Sequence, residues 1–181
     1  LKGIIPEVVK PEGYAILNAD DSLVSKMSNQ TKGKVIYFSL DYKLNPVIKE
    51  HLKSGGIAAI FEEDAFCIMK GKWKYPLVEA KDVPLTFDGK ARFNIANVLA
   101  AIGAAIAMGV KNENINAALT TFFPSYSQTP GRLTMFDMGP YKALVDFAHN
   151  VAGYDALAEF VRSLNPENSI ATICLPGDRR D

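Results

Sequence analysis

The chain has 181 residues, 48% of them hydrophobic and 22% charged, which suits one ordinary globular domain or two small ones and excludes a disordered chain. Twenty Lys and Arg residues balance twenty Asp and Glu residues, so no net charge draws the chain to nucleic acid or to an anionic membrane. The longest apolar run, Val98 to Val110, ends at Lys111 and is too short to cross a bilayer. We therefore expect no nucleic-acid partner and no membrane partner.

Strand-like and helix-like segments alternate from the first strand onward, which predicts consecutive βα units and an α/β fold. Asp21 and the Asn45-Pro46 pair stand where helices begin, because they satisfy or dispense with the free N–H groups of a first turn. The predicted elements are a strand at 14–18, a helix through Met27, a strand at 35–38, a helix to Lys53, a strand at 57–61, short runs of an antiparallel meander at 66–69, 73–78 and 83–87, a long buried helix at 93–108 and an amphipathic helix at 112–121.

Only the stretch Pro124 to Gly131 has the composition of a linker, and we expect it to be flexible. We place a domain boundary in it, between residues 1–127 and residues 128–181. The elements predicted beyond it are strands at 133–137, 143–146 and 170–175 and a helix at 152–163. They are too few to close an open α/β sheet, so the second part is expected to be the beginning of a domain.

Cysteine and histidine usage gives no sign of a metal centre. Cys67 and Cys174 lie far apart, and no Cys or His spacing near them suits a zinc site or a disulfide framework. We therefore expect a reducing, cytoplasmic location and assign no residue to metal binding. His51, on a charged helical segment, is interpreted as a surface residue without a role.

Two carboxamides open the long predicted helix. Asn94 and Asn97 are three residues apart and therefore lie on one face of the first turn. An Asn side chain matches the donor and acceptor edge of adenine, so the pair is a candidate adenine-binding site. Capping of the helix is the competing interpretation, since Asn is common at helix starts.

Arg132 follows a rigid Pro-Gly turn and precedes a predicted strand. A guanidinium held in this way can clamp phosphate oxygens and offset the charge that develops during phosphoryl transfer. A salt bridge between the two parts of the chain is the alternative interpretation.

Asp146 ends an apolar strand, and His149 follows it just before the helix cap Asn150. Ligands of open α/β sheets bind at the carboxyl ends of strands, so Asp146 is a candidate for the ribose hydroxyls and His149 for a phosphate or a carboxylate. A loop acid and a turn histidine without function are the alternative. The chain contains no complete P-loop sequence, because Ser28, Phe66 and Pro84 stand where the first glycine of that motif belongs.

Five stretches in this order resemble the Mur ligase superfamily, and within it the Mur ligase-like region of the cyanophycin synthetase family. They are Val9 to Asp21, Asn97 to Ala101, Gln128 to Arg132, Asp146 to Asn150 and Gly177 to Asp181. The resemblance covers nearly the whole chain and implies the rear part of a Mur ligase central domain, without its P-loop, followed by the start of a Rossmann-like C-terminal domain.

The resemblance also implies an activity. In this family a carboxylate is phosphorylated by ATP with Mg²⁺, and an amino group then attacks the acyl phosphate; cyanophycin synthetases join arginine to poly-aspartate in this way. It implies that Asn97 and Asn94 contact adenine, Arg132 the phosphates and Asp146 the ribose, with Arg132 and His149 as catalytic residues. We expect the longer parent enzyme to be a homo-oligomer. We expect no ligation by the 181-residue chain alone, because its sequence contains no P-loop.

Three alternatives remain open at this stage. One is a peptidoglycan-type Mur ligase acting on a peptide acceptor. Another is a relative of folylpolyglutamate synthetase, and the third is a nucleotide-binding fragment without catalysis.

Overall fold

A five-stranded sheet forms the body of the chain, which a computed structural model describes from residue 2 to residue 174. Its strands, in order across the sheet, are β1 (Tyr14–Asn18), β2 (Lys34–Ser39), β3 (Ile57–Glu62), β4 (Ala65–Lys70) and β5 (Trp73–Glu79). The first three run parallel, with Ala15 opposite Val35 and Ile36 opposite Ile57, and β4 and β5 continue the sheet antiparallel. The α/β class predicted from the sequence is confirmed.

Two helices, α3 (Pro46–Lys53) and α4 (Arg92–Ala107), pack on opposite faces of this sheet. The other helices of residues 2–174 are α1 (Ile4–Glu7), α2 (Ser22–Ser25), α5 (Asn112–Thr121) and α6 (Val151–Ser163), with short 3-10 turns at Lys26–Asn29, Ala80–Asp82 and Pro84–Thr86. Two predicted helix starts are capped as expected. The Asp21 carboxylate accepts hydrogen bonds from the N–H groups of Leu23 and Val24, and Asn45 Oδ1 accepts from those of Val47 and Ile48.

The core lies on both sides of the sheet because neighbouring strand residues point to opposite faces. Ala59 of β3 packs with the α4 side chains Leu99 and Ile102, whereas Ala58 packs with Ile48 of α3. Helix α4 approaches the sheet closely at Gly103, where an added Cβ would lie 3.0 Å from Ile16 Cγ2. A glycine there lets the buried helix cross the parallel strands.

A second, smaller region follows the predicted linker. Strands β6 (Thr134–Asp137) and β7 (Lys142–Val145) form a separate antiparallel hairpin, and α6 follows it. A small core joins this region to the start of α4, with Ala91, Leu133 and Phe160 buried together. The linker itself folds into a hydrogen-bonded turn, in which the N–H of Thr129 donates to Ser125 O at 2.8 Å. The placement of the domain boundary stays a prediction.

Two predicted strands are absent from the described residues. Residues 83–87 contain a 3-10 turn, because Pro84 has no N–H to donate and Phe87 adopts a positive φ of 52° that ends the turn. Residues 170–174 of the predicted strand at 170–175 are irregular, and the Ile170 side chain is almost fully exposed. A strand forms only when another strand pairs with it, and within residues 2–174 none does so there.

His51 is not the surface residue that the sequence predicts. Its ring is half-buried, its Nε2 lies 3.0 Å from Ile57 O, and it contacts the Tyr37 ring edge-on at 4.9 Å between ring centres. Burial lowers the pKa of the imidazole, and the hydrogen bond to the Ile57 carbonyl opposes that shift only in part. His51 therefore ties the end of α3 to the start of β3.

None of the helices described between residues 2 and 174 is long and apolar enough to cross a membrane. In the same part of the chain, no three side chains of the His, Cys, Asp or Glu type come together as a potential metal site.

Candidate functional site

One cavity of about 600 Å³ lies between the start of α4 and the smaller region. The five residues singled out from the sequence all line it, namely Asn94, Asn97, Arg132, Asp146 and His149. They come from three stretches far apart in the chain: the first turns of α4, the segment before β6 and the segment between β7 and α6. The fold thus brings the candidate residues together, whereas their individual roles remain predictions.

Neither asparagine caps α4, so the capping interpretation of this pair is wrong. Ala91 occupies the N-cap position and makes no side-chain capping bond. The buried Asn94 donates from Nδ2 to Leu85 O at 2.8 Å, and Asn97 Nδ2 donates to Asn94 Oδ1 at 3.2 Å. Asn97 is exposed at the cavity wall and keeps its Oδ1 and one N–H outside this pair of bonds.

Arg132 is held by an aromatic ring rather than by a carboxylate. Its guanidinium carbon lies 5.1 Å from the centre of the Phe147 ring, and its backbone N–H donates to Thr129 O at 3.0 Å. Among the described residues no acidic side chain forms a salt bridge with it, which argues against the salt-bridge interpretation. Arg132 therefore lines the cavity without a salt bridge to any carboxylate of residues 2–174.

Asp146 has a structural contact as well as a place in the cavity wall. Its Oδ2 accepts a hydrogen bond from the N–H of Leu133 at 2.8 Å, which joins the end of β7 to the start of β6. Leu133 has a positive φ of 47°, so this bond helps to stabilise a backbone conformation that side chains disfavour. One carboxylate oxygen is thereby occupied, and Oδ1 is the oxygen left for a ligand.

The imidazole of His149 is oriented by its own loop. Nδ1 lies 2.9 Å from Phe147 O, and because a carbonyl can only accept, Nδ1 carries the proton. Nε2 is then the nitrogen through which His149 can accept a proton or contact a ligand. The next residue, Asn150, caps α6 as predicted, with Oδ1 accepting from the N–H of Gly153 at 2.8 Å.

Several residues of the wall have no assigned role in the sequence-based prediction. Phe147 stands inside the motif that contains Asp146 and His149, so its position is visible in the sequence although its contact with Arg132 is not. Leu85 and Phe122 carry no local signal and reach the cavity only through tertiary packing. Gly177 to Asp181, the last of the five stretches that carry the resemblance, lie outside the described residues.

A cavity wall of this kind can bind a nucleotide. It combines apolar side chains for a flat base with an amide edge, a carboxylate and a guanidinium for the polar groups of ribose and phosphate. The α6 N-terminus beside it adds backbone N–H groups that favour an anion.

Comparison with known proteins identifies the fold class first. No protein-family model matches the chain. The solved structure of MurF from Acinetobacter baumannii superimposes with a TM-score of 0.60 and 21% identity, covering 89% of this chain and 32% of MurF. UDP-N-acetylmuramoyl-L-alanyl-D-glutamate--2,6-diaminopimelate ligase from Geobacillus kaustophilus is 29% identical over 168 residues, which are 92% of this chain and 30% of that ligase. The chain therefore has the fold of part of a Mur ligase.

The more specific resemblance is to cyanophycin synthetase. The cyanophycin synthetase of Nostoc sp. is 45% identical over 181 residues, which are 100% of this chain and 20% of that protein. The chain thus spans about one fifth of the length of the curated relatives it matches most fully. The predicted resemblance to the Mur ligase superfamily and to cyanophycin synthetase is confirmed.

Proposed function

We propose that this chain supplies the adenine- and ribose-facing part of an ATP-dependent amide ligase of the cyanophycin synthetase type. The observation that carries the proposal is the single cavity lined by Asn94, Asn97, Arg132, Asp146 and His149. These residues were selected from separate stretches of sequence. They come together only because the smaller region of β6, β7 and α6 packs against the start of α4. The names of two relatives, a cyanophycin synthetase and a 2,6-diaminopimelate ligase, support the same class of reaction.

The polar groups of the cavity fit a nucleotide. Adenine offers a donor at N6 and an acceptor at N7, which complement the remaining Oδ1 and N–H of Asn97. Phe93 and Leu157 line the same cavity and provide apolar surface for the ring. Asp146 Oδ1 accepts a hydrogen bond from a ribose hydroxyl. Arg132 donates hydrogen bonds to the phosphate oxygens from the N–H groups of its planar guanidinium.

In this reaction ATP supplies the phosphoryl group that activates a carboxylate. The Arg132 guanidinium offsets the negative charge of the phosphates, and the His149 imidazole lies beside the nucleotide or the reacting carboxyl with Nε2 available to hold a proton. Mg²⁺ accompanies ATP in phosphoryl transfer, and we assign no residue of this chain to it.

The substrates we propose are arginine and the aspartate side chains of a poly-aspartate acceptor. The amino group of arginine forms the new amide bond as phosphate leaves the activated carboxylate. The enzyme is proposed to be a homo-oligomer and to work in the reducing cytoplasm, in keeping with two unpaired cysteines, Cys67 and Cys174.

The first test measures ATP dependence in a longer enzyme that carries this chain together with a P-loop. Asn97→Ala removes the edge that faces adenine and should raise the KM for ATP by about 5- to 150-fold, the range for a lost bidentate base contact. Asn114→Ala is the matched control, because Asn114 is an exposed asparagine on α5 that does not line the cavity.

Phosphate release is then followed with ATP, Mg²⁺, arginine and poly-aspartate. Release that depends on both arginine and poly-aspartate supports the proposed substrates. Release that instead requires a UDP-linked muramoyl peptide would identify a peptidoglycan ligase. An unchanged KM for ATP in folded Asn97→Ala would reject the adenine contact.

A further inference from the structure

The two asparagines of the cavity wall have different surroundings. Asn94 has a relative exposure of 6%, whereas Asn97 is exposed to the cavity. Both hydrogen-bonding ends of the Asn94 amide are used inside the protein, with Nδ2 on Leu85 O and Oδ1 on the amide of Asn97. Asn94 therefore has little left to offer a base, contrary to the expectation that both asparagines contact adenine.

A single backbone carbonyl fixes the orientation of both amides. Leu85 O can only accept, so the end of the Asn94 amide that faces it must be the NH₂ group. The oxygen of Asn94 then faces Asn97, and an oxygen can only accept, so the near end of the Asn97 amide must be its NH₂ group. As a result, the Asn97 oxygen points away from Asn94.

The Leu85 carbonyl, which starts this series of two hydrogen bonds, is itself held in place by its turn. Leu85 lies in the 3-10 turn Pro84–Thr86. The buried Thr86 hydroxyl lies 2.6 Å from Ala80 O and 2.9 Å from Val83 O, and it accepts from the N–H of Gly89 at 3.0 Å. The turn therefore presents Leu85 O in a fixed place.

We infer that Asn94 is a positioning residue for nucleobase specificity: by fixing the Asn97 amide with its oxygen outward, it makes the site accept adenine and reject guanine. This inference rests on the proposed function of Asn97. Adenine donates from N6 beside its N7 acceptor, whereas guanine carries an acceptor, O6, at that place. An outward oxygen meets a donor in adenine and a second oxygen in guanine, so the orientation decides between them.

The test compares kcat/KM for ATP with kcat/KM for GTP in the longer enzyme. Asn94→Ala leaves the Asn97 amide free to flip, so that its oxygen and its NH₂ group can exchange places. The preference for ATP should then fall about tenfold, toward the low end of the range for one base contact. Asn94→Asp keeps an acceptor for the Asn97 NH₂ group and should retain the preference, although it loses the bond to Leu85 O. Asn94→Ser, whose hydroxyl is too short to reach Asn97, replaces Asn94→Ala if the alanine variant does not fold.

A second measurement does not depend on activity. In the 181-residue chain, NMR of the Asn97 side-chain NH₂ group should show two protons in distinct environments in the wild type and in Asn94→Asp. In Asn94→Ala their environments should become more alike, because the bond to Asn94 is lost. No such change in folded Asn94→Ala would contradict the hydrogen-bonded series.

Asn116→Ala serves as the control for a general loss of stability. Asn116 Nδ2 on α5 donates to Leu77 O at 2.7 Å, a bond of the same kind as that of Asn94, but Asn116 does not line the cavity, so its loss should lower the melting temperature and leave the preference for ATP unchanged. An equal loss of preference in Asn116→Ala and in Asn94→Ala would overturn the inference.

The remaining outcomes separate the inference from the proposed function. If Asn97→Ala removes the preference for ATP and folded Asn94→Ala retains it, Asn97 reads the base without help from Asn94, and the inference is wrong. If Asn97→Ala retains the preference, the proposed contact between Asn97 and adenine is itself wrong, whatever the result for Asn94→Ala.

Discussion

The two walls of the cavity differ in how they are stabilised. The α4 wall belongs to the five-stranded sheet and lies on a core that includes Leu99 and Ile102, both nearly inaccessible to solvent. The opposite wall belongs to the hairpin and α6 and relies on a small core around Leu133 and Phe160. The group proposed to read the base lies on the first wall, and those proposed for ribose and phosphate lie on the second.

Polar contacts show the same difference. At the carboxyl ends of β1 and β2, Asp20 accepts from the Ser39 hydroxyl at 2.6 Å and from the N–H of Leu40 at 2.7 Å. These hydrogen bonds tie the ends of the two strands together. On the hairpin side, Phe147 is 62% exposed and contacts the Arg132 guanidinium beside the cavity. The sheet side is thus held by direct hydrogen bonds between its strands, whereas the hairpin side depends on a few contacts whose loss should displace the groups that we propose for phosphate binding.

The largest effect is expected from Phe160→Ala. Phe160 is buried to 1% exposure and packs on the rings of Phe87 and Phe93, with ring centres 5.2 and 6.4 Å away. Removing it should cost about 3 to 5 kcal/mol of stability. Native-state hydrogen exchange should show lost protection in β6, β7 and α6, while β1 to β3 keep theirs.

Leu99→Ala is the matched substitution in the other wall and should lower protection in β1 to β3. If Phe160→Ala lowers protection equally in all strands, the two walls unfold as one unit and the contrast between them disappears.

A smaller but still large effect is expected from Arg132→Lys in the longer enzyme. Lysine keeps the charge but lacks the planar fork and stacks less well on Phe147, so turnover should fall by about tenfold to hundredfold while the melting temperature stays near the wild-type value. Steady-state kinetics with ATP measure this. Arg162→Lys, in the last turn of α6, is the control, and near-normal turnover in Arg132→Lys would make Arg132 a structural residue.

The smallest effect is on the stability of the sheet and on how that stability depends on pH. Glu62, whose side chain is 8% exposed, accepts from Lys43 at 2.6 Å, from the Tyr42 hydroxyl at 2.8 Å and from Lys74. The hydrogen bonds from Lys43, Lys74 and Tyr42 lower the pKa of Glu62 from its usual 4.5 to about 2. Glu62→Gln should therefore lower the free energy of unfolding at neutral pH by about 1 to 2 kcal/mol.

The sign of the pH dependence follows from that lowered pKa. The stabilisation by the Glu62 carboxylate is complete above the unfolded pKa and is lost as the pH falls through the folded pKa near 2. Urea unfolding of wild type and Glu62→Gln at several pH values should show a difference that shrinks below about pH 4.5 and vanishes below about pH 2. A difference that does not change with pH would show that the carboxylate charge is not its cause.

The sequence by itself determined most of the secondary structure and the set of residues at the site. Helix starts were predictable at Asp21, Asn45 and Asn150, because capping depends on neighbours only two or three residues away. Apolar periodicity placed β1, β2, β3 and α4 for the same reason, since burial of one face follows from local spacing. The motif residues were predictable as a set through their resemblance to Mur ligases, although no local pattern shows that they meet.

Only the tertiary structure decided which atoms of those residues are available. The bond from Asn94 to Leu85 and the bond from Leu133 to Asp146 join residues 9 and 13 positions apart whose geometry no local pattern specifies. His51 acquired its partner in the same way, when β2 and β3 paired and brought Tyr37 and Ile57 to its ring. Residues 83–87 and 170–174 were predicted as strands and are not, because pairing with a neighbouring strand is a property of the assembled sheet rather than of an apolar run.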